Sequence, residues 1–188
     1  MRLRDIPNLL SLVRMACAIP IALLLLNESF GMALLVFVAA GLSDGLDGYL
    51  AKRFGWRSRL GSILDPLADK ALLVTVYLVL GSMDLLPLWL VGLVIARDVV
   101  VVSGALWIHI LVGRYEMAPS IASKLNTALQ LILVVAVISA KSVATLPEWL
   151  IDGLTYGVLA ATVWSGVDYV WNWGVQAMRL RSVPTSRK

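Results

Sequence analysis

The sequence predicts an all-α integral membrane protein with six transmembrane helices. Composition is the first reason: of 188 residues, 60% are hydrophobic and only 15% charged, with a mean hydropathy of +0.86. A soluble domain of this size has no interior large enough for that much apolar surface. The second reason is patterning, because the apolar residues fall into runs long enough to cross a hydrocarbon core, separated by short polar breaks. The third is charge, because the basic residues collect at alternate breaks. Nothing reads as a linker, so residues 1–188 are expected to form a single membrane domain.

Met1 to Pro7 reads as a short interfacial segment. The first span runs from about Asn8 to Leu26, the second from Gly31 to Ala51 and the third from Ile63 to Met83. The fourth runs from Pro87 to Val112, the fifth from Lys124 to Ala140 and the sixth from Leu150 to Met178. Each is near crossing length at about 1.5 Å of rise per residue, the last with an overhang. If six helices alternate, Arg2, Arg4, Lys52, Arg53, Arg57, Arg59, Arg114, Lys124, Arg179, Arg181, Arg187 and Lys188 share one side, and Lys141 alone faces the other. That asymmetry places both termini in the cytoplasm. Trp89, Trp149, Trp171 and Trp173 fall near span ends, as interfacial aromatics do. Arg14, Lys70 and Arg97 remain at or near membrane depth, where each needs a partner or a wet cavity.

The net charge of +4 therefore reads as topology and contact with anionic membrane lipids, not as nucleic-acid binding. The single Cys17 rules out a disulfide framework. No small-residue cleavage site follows the first apolar run, so no cleaved signal peptide is expected. Without an Arg/Ser-rich transit peptide, a bacterial inner membrane is the expected location.

Against this apolar background stand Asp44 and Asp47 near the end of span two, and Asp65 and Asp69 one turn apart in span three. Carboxylates facing lipid are costly, and four at helical spacing call for a strong compensating charge. A short basic loop makes the two spans antiparallel neighbours, so the four groups are expected to converge just inside the cytoplasmic boundary. The small residues Gly48, Ala51 and Gly61 let the helices approach and leave room for a ligand. Oxygen-only donors without His or Cys favour hard cations such as Mg²⁺ or Mn²⁺. Interfacial acids paired with Lys52, Arg53 and Lys70 are the bland alternative. A cation-coupled transporter and a non-catalytic scaffold are rivals from other classes; the transporter explains the acids but not the glycines and bases around them.

The same stretch resembles the signature of the CDP-alcohol phosphatidyltransferases, D-x-x-D-G-x-x-A-R-x(8)-G-x-x-x-D-x-x-x-D. Asp44, Asp47, Gly48, Ala51, Gly61, Asp65 and Asp69 fall at the matching spacing, and Lys52 stands where that family has Arg. The charge survives this departure, but a bidentate phosphate fork does not. Ile6 to Arg14 resembles the family's N-terminal entry, and Leu64 to Lys70 resembles members that make glycerol-based anionic lipids.

The resemblance implies transfer of a phosphatidyl group from CDP-diacylglycerol to an alcohol, with release of CMP. It implies two divalent cations held by Asp44, Asp47, Asp65 and Asp69, with Asp69 also the general base on the acceptor hydroxyl. Gly48, Ala51, Lys52 and Gly61 would receive the CDP moiety, and a homodimer is expected. For the acceptor, Arg97 and Lys124, helped by Arg57 or Arg59, are candidates for binding a phosphate, and the N-terminal end of span five adds attraction for an anion. A buried Arg97–Asp98 ion pair of purely structural purpose is the alternative. Arg14 is read either as a helper at this site or as an interface anchor. The stretches around Arg97 and Ser123 to Gln130 resemble the eukaryotic-type cardiolipin synthases, which use phosphatidylglycerol. The N-terminus and length equally resemble the phosphatidylglycerophosphate synthases, which use glycerol 3-phosphate. His109 reads as a polar cap, and Gly153 and Gly157 as a helix-packing step.

Overall fold

The computed structural model describes the backbone of residues 6–54, 61–112, 121–143 and 145–181, and the side chains of 10–43, 45, 67–104, 121–143 and 145–169. Every element among them is a helix: α1 (Ile6–Leu26), α2 (Phe30–Phe54), α3 (Gly61–Ser82), α4 (Leu88–Val112), α5 (Ile121–Ser142) and α6 (Glu148–Arg181). The six apolar runs thus appear as six helices. Ile6 and Pro7 belong to α1, so the expected interfacial segment is shorter at its end than the sequence suggests.

The chain divides into two compact units. The first holds α1, α2, α3, α4 up to Val91, α5 from Val134 and α6 up to Ile151. The second holds α4 from Gly92, α5 up to Leu133 and α6 from Asp152.

In the first unit α1 packs against both α2 and α3. Its buried residues are Ser11, Arg14, Ala18, Ile21 and Leu25. Their alternating three- and four-residue steps draw one stripe down the helix, the geometry of shallow helix crossings. On α2 the buried positions are Ala33, Phe37 and Ala40, and on α3 they include Ala68, Leu72, Val76, Tyr77 and Leu80. Pro20 lies inside α1 and removes one backbone donor, a loss that helices of apolar bundles absorb through their neighbours.

Two turns of the first unit close in the same way. Glu28 (φ 56°) and Asp84 (φ 57°) both take the left-handed conformation. The Ser29 amide donates to the Leu24 carbonyl at 2.8 Å, and the Leu85 amide to the Leu80 carbonyl at 2.9 Å. These six-to-one bonds make each turn a Schellman cap with an acid where glycine is usual. The carbonyl of Pro87 then starts α4 by accepting from the Leu90 amide at 2.9 Å. Lys141 in the last turn of α5 and Glu148 in the first turn of α6 both complement the helix dipole.

Apolar side chains fill the core, but polar ones are buried among them and large apolar ones are left outside. Ser11, Arg14, Arg97, Asp98, Asn126, Gln130, Thr155, Thr162 and Ser165 are buried, while Ile19, Leu35, Leu42, Val99, Ile121, Trp149 and Trp164 are exposed. Exposed apolar side chains on this scale mark a surface suited to meet other apolar surface, of protein or of membrane. By length and composition, two helices among the described residues are suited to cross a membrane, at Ile121–Ser142 and Glu148–Tyr169.

A β-carbon added at Gly81 would meet Val91 Cγ2 at 2.9 Å and Leu88 Cδ2 at 3.3 Å. The Gly81→Leu variant is therefore expected to lose about 1–3 kcal/mol, read as a lower melting temperature in detergent. Asp84→Gly relieves the left-handed strain and is expected to gain about 1 kcal/mol in the same measurement.

Candidate active site

Each half of the aspartate motif lies on its own helix of the first unit. Asp44, Asp47, Gly48, Ala51 and Lys52 fall toward the end of α2, and Gly61, Asp65 and Asp69 toward the start of α3. The side chains of all of these except Asp69 lie outside the described residues, as does that of His109. Arg57 and Arg59 lie outside them altogether. The expected convergence of four carboxylates therefore falls outside the described side chains, and no group of three or more potential metal ligands occurs among those described. The donor set still fits a hard divalent cation, because the motif offers carboxylate oxygens and neither His nor Cys.

Asp69 does have a described partner. Arg14 Nη1 donates to its Oδ1 at 2.5 Å. The Arg14 side chain is 2% exposed and that of Asp69 is 48% exposed. Arg14 is thus not an interface anchor. It is packed inside the first unit, with its charge against an aspartate of the motif. The pairing spans α1 and α3, which no spacing in the sequence reveals. The available signal was the position of Arg14 on the stripe of Ser11, Ala18, Ile21 and Leu25, the face that the helix buries.

The second unit is built around Arg97. Its Nη1 donates to Asp98 Oδ1 at 2.7 Å, with both side chains under 10% exposed. Its Nη2 donates to Ser123 Oγ at 2.8 Å and to Ser165 Oγ. The guanidinium carbon lies 5.5 Å from the centroid of the Tyr169 ring, within cation–π range. One side chain of α4 thereby ties α5 and α6. Thr162 Oγ1 donates to Asn126 Oδ1 at 2.9 Å, a second tie between α5 and α6. Arg97 Nε and Asn126 Nδ2 are buried donors without a hydrogen-bond partner among the described residues. Lys124, next to Ser123 in the first turn of α5, is exposed.

So the Arg97–Asp98 ion pair is real and buried, and Ser123 and Ser165 complete it. Sequence reasoning did not single out the two serines. Ser165 belongs to a buried line with Thr155, Val158 and Thr162 on α6, and hydroxyl residues at three of the four positions of that line in an apolar helix were the signal for it.

The family model for CDP-alcohol phosphatidyltransferase matches residues 4–167. The chain belongs to the CDP-alcohol phosphatidyltransferase family. Its relatives include the cardiolipin synthase (CMP-forming) of Rattus norvegicus, 40% identical over 151 residues that make up 72% of this chain and 50% of that protein. The Homo sapiens protein of the same name is 39% identical over the same shares of the two chains. The CDP-diacylglycerol–glycerol-3-phosphate 3-phosphatidyltransferase 1, chloroplastic, of Oryza sativa subsp. japonica is 35% identical over 193 residues, covering 89% of this chain and 58% of that one. The chain thus spans about half the length of the curated relatives it matches. The family match includes α1 to α5 and most of α6, and with them both Asp69 and Arg97.

Removing the guanidinium in Arg97→Ala takes from Asp98 its buried ion-pair partner and from Ser123 and Ser165 a hydrogen bond each. A loss of about 3–5 kcal/mol is expected, seen as early proteolysis or melting of the second unit. Arg97→Lys keeps the charge but has no planar fork with which to reach two serines and a carboxylate together, and is expected to fall between the two.

Proposed function

We propose that this protein is an integral membrane phosphatidyltransferase with six transmembrane helices in one functional domain. It moves a phosphatidyl group from CDP-diacylglycerol to a phosphate-bearing glycerol acceptor and releases CMP. The observation that carries this reading is the complete spacing of Asp44, Asp47, Gly48, Ala51, Gly61, Asp65 and Asp69 inside the stretch that matches the family. The family description names a transferase, which weighs against a cation-coupled transporter. The exposed apolar side chains, and the polar ones buried within an apolar core, support the membrane setting. The basic residues at alternate breaks support cytoplasmic termini and a cytoplasmic active site, and a bacterial inner membrane is the proposed host.

The acceptor hydroxyl oxygen attacks the phosphorus that carries the diacylglycerol. The bond from that phosphorus to the oxygen bridging it to the CMP phosphorus breaks, and CMP leaves with the electron pair. Asp69 takes the hydroxyl proton. Two divalent cations, Mg²⁺ or Mn²⁺, held by Asp44, Asp47, Asp65 and Asp69, would neutralise the diphosphate and the charge developing on CMP. Gly48, Ala51 and Gly61 give the nucleotide a close approach to the helices, and Lys52 counters the diphosphate. Lys124, Arg97, Arg57 and Arg59 hold the acceptor phosphate. For Arg97 and its cluster, the support is a pair of buried donors still to be used, Arg97 Nε and Asn126 Nδ2, beside an exposed Lys124 at a helix start.

The preferred acceptor is phosphatidylglycerol, which makes cardiolipin the product. Two of the relatives quoted above are named cardiolipin synthases. Glycerol 3-phosphate is the second reading, because the rice relative named for that acceptor aligns over more of this chain. A homodimer is proposed as well: β-carbons at Gly153 and Gly157 would meet nothing within 4 Å among the described atoms, which leaves room for a second helix.

The test is purified protein given labelled CDP-diacylglycerol and Mg²⁺ with each acceptor in turn, the product lipid being identified by thin-layer chromatography. CMP release with phosphatidylglycerol is expected; no release with any glycerol-based acceptor removes the proposal. Asp69→Asn is expected to abolish turnover while sparing nucleotide binding, whereas Asp44→Asn weakens metal and nucleotide binding together. Lys124→Ala is expected to raise the acceptor KM about tenfold with little change in kcat.

A further inference from the structure

We infer that Arg14 is a positioning residue for Asp69: its buried guanidinium fixes the direction in which that carboxylate faces the acceptor hydroxyl. The inference rests on the role proposed for Asp69 and adds the side chain that orients it.

The pair is lopsided. Arg14 is 2% exposed at its side chain and Asp69 is 48% exposed. A salt bridge kept only to neutralise a charge in an apolar interior would be expected to hide both partners. Here the cation is enclosed by protein and the anion is about half exposed, so the arginine stands behind the carboxylate as a support. Both backbones are fixed by packing. Arg14 sits between buried Ser11 and buried Ala18 on the stripe of α1, and Asp69 follows Ala68, which is 1% exposed, on α3. α1 and α3 are in direct contact. The remaining freedom of Asp69 is its own side-chain rotation, and the 2.5 Å contact from Arg14 Nη1 to Oδ1 restrains it. A guanidinium is suited to this, because its donors leave a rigid plane in fixed directions, whereas an ammonium rotates and offers only a point charge. Catalysis by a positioned base depends on that direction, and a misplacement of about 1 Å costs on the order of 10²-fold in rate.

The test is Arg14→Lys and Arg14→Gln in the full chain, purified in detergent with Mg²⁺, measuring CMP release from CDP-diacylglycerol with phosphatidylglycerol. Labelled CDP binding and the melting temperature are measured alongside. Arg14→Lys keeps the charge, so a residue that only balances charge is rescued by it and a positioning residue is not. The expected result is a kcat lower by about 10²-fold, with the CDP-diacylglycerol KM and CDP binding within about threefold of wild type. The melting temperature of Arg14→Lys should stay near that of wild type. Wild-type kcat in Arg14→Lys overturns the inference, as does a loss that tracks the folded fraction or a rise in KM alone. A wild-type protein that releases no CMP fails the functional reading itself, and that arm separates the two failures.

Discussion

A charge shut away from water has to bring its opposite with it, and two arginines of this chain obey that constraint in different ways. Arg14 finds its counter-charge 55 positions away, so neutralising it fastens α1 to α3. Arg97 finds its counter-charge on the next residue, which fastens nothing by itself. Its grip on α5 and α6 comes from the hydrogen bonds to Ser123 and Ser165. One arginine holds helices together through charge, the other through the directed donors left after its charge has been met.

These two anchors sit where the family's chemistry is expected. The first unit carries the aspartate motif and has Arg14 behind one of its members. The second unit carries the cationic cluster proposed for the acceptor phosphate, with Lys124 exposed beside the serine that Arg97 holds. In each unit a buried arginine lies next to a more exposed ionisable side chain, Asp69 in the first and Lys124 in the second.

Much of the architecture was legible in the sequence because hydropathy reports directly on what each stretch can bury. The ends were less so. Span two was expected to stop near Ala51, yet α2 runs on to Phe54, and span five was expected to begin near Lys124, yet α5 begins at Ile121. Apolarity marks the part of a helix suited to lipid, whereas backbone hydrogen bonding carries the helix past it through good formers such as Lys52 and Arg53. The aspartate motif was legible as residue types at fixed intervals. The pairing of Arg14 with Asp69 was not, because it depends on which face of α1 meets α3. Nor were Ser123 and Ser165, because a serine in an apolar run looks the same whether it satisfies its own helix or holds a distant guanidinium.

The two interiors also differ in what fills them. Beside α1 the first unit is closed by hydrocarbon and aromatic side chains such as Ile21, Leu25, Val76, Tyr77 and Leu80. The second sets Asn126, Thr155, Thr162 and Ser165 among buried Val94, Leu133 and Val158. A hydroxyl is small, rotates freely, and can fall back on a carbonyl of its own helix when its partner moves away. Thr162 with Asn126 and Ser165 with Arg97 make the half that holds Lys124 depend on directed hydrogen bonds as well as on filled space.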